Sequence, residues 1–322
     1  MQRRAANQAL AALALAATGL ARAQAWPDKT IKLVVPYPPG ASTDTLGRVV
    51  AQKVAAALGQ TVVVDNRAGA SGMIGTELVA KAPADGYTFG LGTDATHASN
   101  VHLIANPTIQ PLRDFTPLAL AAMNPIVLVV HPSVPASNLT DLIAYVKATP
   151  GKGGYGSSGT GSPHHLAGEL LRARTGAPFV HVPYKGGAPA LNDVMGGQIP
   201  MLFASAITVI PHIQSGRVRA IAVTGATRYE GLPNVPTVAE TLEGFEMPSW
   251  LAFFGPAHLP EPIARRLSDE ILKALRDPEV HAKLTQSGLV VVAGGPAELA
   301  AAQRKDYELK GRLIREAGVK AE

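Results

Sequence analysis

The sequence predicts an α/β protein of two lobes joined by two crossover segments, and three observations predict it. Short apolar runs alternate with segments of helical period, and a glycine-bearing connection separates them, the rhythm of strands in parallel sheets covered on both faces. The 32 glycines and 26 prolines are spread between the apolar runs instead of forming one block, which means many tight connections. About 297 residues remain after an N-terminal targeting segment, near the ~250–300 at which a single core stops growing.

Residues 31–36 (Ile-Lys-Leu-Val-Val-Pro) read as a buried strand and 37–42 as a loop. Residues 43–58 read as a helix with Leu46, Val49, Val50, Val54 and Leu58 on one face. Strands are expected at 61–65 and 87–92, around a helix at 72–82. Turn residues crowd 106–117, and the apolar run 126–130 starts a new unit. Its helices are expected at 139–148, 162–175 and 188–195, and its strands at 154–157, 180–183, 201–204 and 220–223. An irregular stretch, 226–249, ends in Trp250-Leu251-Ala252-Phe253-Phe254-Gly255, a strand leaving that unit. Helices follow at 260–275, 278–287 and 296–316. Crossings near 124–128 and 247–253 give a discontinuous first domain, 26–126 plus 250–322, and an inserted second, 127–249. Two crossings form a hinge suited to closure about a ligand.

The N-terminus reads as an export signal. Arg3 and Arg4 precede an apolar stretch from Ala9 to Leu20, and Ala21-Arg22-Ala23 and Ala23-Gln24-Ala25 offer small-residue cleavage points. The stretch is shorter than the ~20 residues a membrane span needs. Cleavage near residue 25 removes three arginines, leaving 26 basic against 24 acidic residues, a charge of about +2. That balance, with no Lys/Arg run and no aromatic–basic interleaving, argues against nucleic acid. The chain has no cysteine, so neither disulfides nor a lipidated N-terminal Cys is available. A monomer free in the periplasm and not embedded in a membrane is expected.

Two loops carry the chemistry. Tyr37-Pro38-Pro39-Gly40-Ala41-Ser42-Thr43-Asp44 leads into one helix, and Gly156-Ser157-Ser158-Gly159-Thr160-Gly161-Ser162-Pro163-His164-His165 into another. Each sets small residues at a helix N-terminus, at the carboxyl end of a strand, where free N–H groups and the helix dipole favour an anion. One loop lies in each expected domain. The plainer reading makes Ser42 or Thr43 an N-cap and Asp44 a first-turn acid. Arginine is sparse nearby, Arg67 being the nearest candidate, so a carboxylate would rest on amides and hydroxyls. Thr93, Thr96, Lys185 and Ser205, with Gly186 and Ala204 beside them, are candidates for the distal end of a ligand. Tyr37, Tyr184 and Trp250 are candidates to cover its body. A compact organic acid is expected, not a sugar, peptide or metal.

Catalytic and cofactor readings find little support. Gly154-Tyr155-Gly156-Ser157-Ser158-Gly159 matches G-x-G-x-x-G but lacks the acid ~20 residues on that a dinucleotide site wants. Ser158 or Ser162 with His165 could suggest a hydrolase, yet no nucleophile elbow is present. His164 and His165 are adjacent, so on a helix they point about 100° apart and cannot share a metal.

The sequence resembles the Bug-type receptors of tripartite tricarboxylate transporters along nearly the whole chain after residue 25. The likeness lies in Val35-Pro36-Tyr37-Pro38-Pro39-Gly40 with Thr43, Asp44 and Arg48, in Asp65-Asn66-Arg67-Ala68-Gly69-Ala70 with Gly72 and Gly75, and in Ala84-Asp85-Gly86-Tyr87-Thr88. It continues through the 157–165 loop with Leu166, Val182-Pro183-Tyr184-Lys185-Gly186-Gly187, the 232–240 stretch, Trp250 and Gly255-Pro256-Ala257. The resemblance implies a type II periplasmic-binding fold and a small organic acid held between the domains by the two loops. It also implies transporter membrane subunits as partners, and neither enzyme activity nor a cofactor. Ala41 and His164 depart from the family's usual glycine and polar residue. A receptor presenting its ligand to a sensor kinase, and an exported Ser/His hydrolase, are the alternatives.

Overall fold

The computed structural model describes residues 26–104 and 106–319, so the expected export signal lies outside the described residues. The chain forms two mixed sheets. The first has six strands in the order β11-β4-β10-β3-β1-β2: β1 (Ile31–Val35), β2 (Val62–Asn66), β3 (Thr88–Thr93), β4 (Phe115–Met123), β10 (Trp250–Pro256) and β11 (Val290–Gly294). The second has five in the order β7-β6-β8-β5-β9: β5 (Ile126–Val130), β6 (Gly154–Ser157), β7 (Val180–Pro183), β8 (Met201–Ser205) and β9 (Arg219–Val223).

The expectation of parallel sheets holds only in part. β1 runs parallel to β2 and β3, and β6 to β7 and β8, but β10, β4 and β11 pair antiparallel, as does β5 with β8 and β9. The antiparallel strands β4, β5 and β10 flank the two passages between sheets. β4 and β5 are separated only by Asn124 and Pro125, and Asn124 N donates to Ser249 O (2.8 Å), tying the outgoing passage to the returning one.

Strands β5 and β10 are apolar throughout because both of their faces are covered. In β5, Ile126, Leu128 and Val130 join one core while Val127 and Val129 join another. In β10, Leu251 and Phe253 face one layer of the first sheet and Trp250, Ala252 and Phe254 the other. This is the period-2 alternation of a strand, masked because every position is buried.

The helices that matter for function begin just after strands. They are α1 (Ser42–Leu58), α5 (Pro163–Thr175) and α6 (Gly187–Met195). Others include α2 (Met73–Ala80), the short α3 (Asn100–Leu103), α4 (Leu139–Ala148), α7 (Ala206–Gln214), α8 (Glu261–Arg276) and α9 (Pro278–Gln286). The last, α10 (Pro296–Ala317), has two anchorages. Leu299 packs in the first sheet's core, while Leu313 and Ile314 pack with Leu166 and Phe245 against the second. Assigning all of 250–322 to the first domain leaves out this second anchorage. Each methylene buried there contributes about 0.8 kcal/mol to holding the helix end against the second sheet.

Candidate ligand-binding cleft

A cavity of about 750 Å³ opens between the two sheets. Its walls come from the segments after β1, β2 and β3 on one side and after β6 and β7 on the other, with Asn124 and Ser249 from the two passages. These are the carboxyl ends of parallel strands, where helix N-termini converge.

The first loop is shaped by Asp44. Its Oδ2 accepts from Gly40 N (2.9 Å) and Arg48 Nε (3.0 Å), and its Oδ1 from Asn66 Nδ2 (3.0 Å), whose amide also donates to Tyr37 O (3.0 Å). Burial would raise the Asp44 pKa, but the bonds from Arg48, Gly40 and Asn66 outweigh it and hold the carboxyl below its ordinary value. Neither Ser42 nor Thr43 is the N-cap. Ala41 stands there with no side-chain cap, and Thr43 Oγ1 is buried without a hydrogen-bond partner. The first-turn amides of α1 therefore lack the usual internal acceptor.

In the second loop, Ser157 Oγ accepts from Gly159 N (3.0 Å) and lies 2.7 Å from His181 Nε2. Gly161 N donates to His165 Nδ1 (3.0 Å), which requires His165 to be neutral with its proton on Nε2. Ser158 Oγ lies 2.7 Å from His164 Nδ1, and His164 Nε2 lies 3.4 Å from Ser205 Oγ, which accepts from Asn124 Nδ2 (2.9 Å). The adjacent histidines diverge as helix geometry requires: His164 lines the cavity, whereas His165 stacks on His181 (3.7 Å between ring centres).

Among the expected residues, Tyr37, Ala41, Ser42, Thr43, Thr93, Ser158, Gly159, Thr160, Ser162, Tyr184 and Lys185 line the cavity. The others do not line it. Gly40 and Asp44 build the first loop, and Gly161 and His165 the second. Thr96 is buried, its Oγ1 2.8 Å from His97 Nδ1. Gly186 sits at the N-cap of α6, Ala204 is buried in β8, and Ser205 supports His164 and Asn124. Trp250 belongs to the core, where Nε1 donates to Asp306 Oδ2 (2.9 Å), and Arg67 pairs with Asp65 in its own turn (2.8 Å). Sequence reasoning missed the apolar wall of Met73, Leu103, Ile104 and Leu251, and also Asn100, Asn124, Ser249 and Asp94. Asn124 and Ser249 were reachable, because the expected crossings pass through or beside them.

Asp94 leads to a buried ionic group. Lys310, 0% exposed, pairs with Asp94 Oδ2 and with Asp306 Oδ2 (2.9 Å), and donates to Pro248 O (3.2 Å); Ser249 Oγ donates to Asp94 Oδ1 (3.1 Å). Among the described residues no group of three or more His, Cys, Asp or Glu side chains can hold a metal ion.

Burial also sets the acid response. It pushes His97 down to about 3 and His164 and His165 down to about 4. An unfolded histidine titrates near ~6.5, so the unfolded chain takes up protons first as pH falls. The histidines' contribution is complete above pH ~6.5 and is lost toward about 4. Asp306 opposes them: burial raises it to about 6, against the pull of Lys310, so its protonation favours the folded state over about 6 to 4. Three histidines outweigh one aspartate. The urea midpoint is expected to fall between about pH 6.5 and about pH 4.5; a flat or rising midpoint would contradict these assignments.

Residues 46–319 match the family model described as the tripartite tricarboxylate transporter family receptor. The chain belongs to that family. It is 36% identical to BugT of Bordetella pertussis over 300 residues, covering 92% of each chain. Among solved structures it is similar to an R. palustris protein solved with adipate (35% identity, TM-score 0.82, covering 92% of this chain and 99% of that one). It is also similar to the periplasmic binding protein BugD (32% identity, TM-score 0.79, covering 92% and 100%). This is a family of binding receptors and not of enzymes, with the two-lobed α/β fold of periplasmic binding proteins.

Proposed function

We propose that this receptor works in the periplasm, captures a small organic acid in the cleft, and delivers it to the membrane subunits of a tripartite tricarboxylate-type transporter. The observation that carries the reading is the pair of helix N-termini, α1 and α5, that reach one cavity from opposite lobes. The adipate held by the R. palustris relative supports a carboxylate as the ligand. No helix among the described residues is long and apolar enough to cross a membrane.

A thermal-shift screen of the chain from residue 26 against carboxylic acids tests this, because a ligand that binds only the folded state raises Tm. An acid that binds is expected to raise Tm while its neutral amide does not. Small-angle scattering is then expected to show a smaller radius of gyration with the acid bound. Equal shifts with acid and amide would sink the carboxylate reading, and an unchanged radius the closure.

A further inference from the structure

Among the described residues lining the cavity, Asp94 and Lys185 are the ones with charged side chains, and they are not equivalent. Lys185 is exposed, where water and salt screen its charge. Asp94 is 1% exposed, and what lies behind it does not fully neutralise it. One ammonium, that of Lys310, is shared by two carboxylates, Asp94 and Asp306, so with all three ionised the group carries one net negative charge. That charge faces the cavity directly, because Asp94 is itself a wall residue, and it acts electrostatically on two others, His164 and Tyr37. No arginine among the described residues lines the cavity, while Met73, Leu103, Ile104 and Leu251 give it an apolar wall. A second carboxylate drawn into this space would lose its water, meet no buried cation, and face a like charge at low dielectric.

We propose that the Asp94–Lys310–Asp306 group is a charge filter. The cleft then selects a monocarboxylate with an apolar body, its one carboxylate on the helix N-termini, and rejects acids that carry a second anionic group toward Asp94. This rests on the carboxylate reading of the cleft. Asp94 is thereby a specificity-determining residue, and Asp306, which does not line the cavity, acts only through the field.

Calorimetry on the chain from residue 26, at about pH 7.5 where carboxylates are ionised, compares hexanoate with adipate and benzoate with terephthalate. In each pair that binds, the monocarboxylate is expected to bind at least about tenfold tighter. Asp94→Asn and Asp306→Asn each remove one negative charge from the group. Both are expected to shrink that ratio at least about fivefold, with circular dichroism confirming that the variants fold. The Asp306→Asn arm separates field from contact, since that side chain lies behind the wall. A diacid that equals or beats its monoacid overturns the filter and leaves the carboxylate reading intact, as does a ratio unmoved in both folded variants. If neither these acids nor any acid in the thermal-shift screen binds, the carboxylate reading falls and the filter with it.

Discussion

Replacing Lys310 by methionine is expected to destabilise the folded protein by about 3–5 kcal/mol, the cost of leaving buried charge without its partner. Lys310 is wholly buried, and its ammonium is divided among Asp94, Asp306 and the Pro248 carbonyl. Methionine fills much of the same volume, so the loss comes from electrostatics rather than from a cavity. Two carboxylates then share a dry site with only Ser249 and Trp250 as donors among the contacts described above. The pH dependence carries the signature. Asp306 is already raised to about 6, and removing the cation raises a buried carboxyl further. A folded pKa above the unfolded one costs stability as pH rises through it, so the defect should be greatest above neutrality and shrink in acid. Urea denaturation of both proteins at pH 5 and pH 8 (about these values) measures it. A loss below about 1 kcal/mol at the higher pH would mean that the carboxylates do not depend on Lys310.

Gly159→Val is expected to weaken ligand binding at least about tenfold in a variant that still folds. Gly159 has φ +128°, a region that side chains rarely enter at a cost of about 1–3 kcal/mol, and an added Cβ would sit 3.3 Å from Tyr184 O. The residue cannot move alone. Its amide donates to Ser157 Oγ and its carbonyl accepts from Ser162 N (3.1 Å), so relieving the strain re-aims the amides at the head of α5. Single hydroxyl deletions should do less: Thr43→Ala and Ser158→Ala each take away at most one ordinary hydrogen bond to the ligand, about 0.5–1.5 kcal/mol. Calorimetry with an acid identified by the thermal screen ranks the three. A folded Gly159→Val variant that binds like the wild type would take this loop out of the site.

Local signals made much of the architecture legible. The helix at Leu139–Ala148 begins and ends where periodicity placed it, because Asn138 caps it by accepting from Asp141 N (2.9 Å) and its apolar residues share one face. α5 and α9 also begin within one residue of expectation, each with proline in its first turn. β4, α7 and β11 were not legible. β4 is rich in alanine and carries Pro117, which a central strand does not ordinarily tolerate; here the pairing with β10 shifts register between Phe253 and Phe254, just where Pro117 stands opposite. α7 contains Pro211, which hides a helix from any local rule.

What the sequence determined by itself is what depends on near neighbours: the order of most strands and helices, and the two glycine-bearing loops at helix starts. It also carried the family likeness, spread over many short matches. Which loop residues form the cavity wall was decided only by the tertiary structure. Asp44 and His165 sit in the right motifs yet turn inward to shape their loops, because their partners, Asn66 and His181, come from other strands. The buried group behind the cleft joins Asp94 to Asp306 and Lys310 across more than two hundred residues of chain. A charge becomes strong only where packing removes water from around it, and no local pattern of residues records which charges that will be.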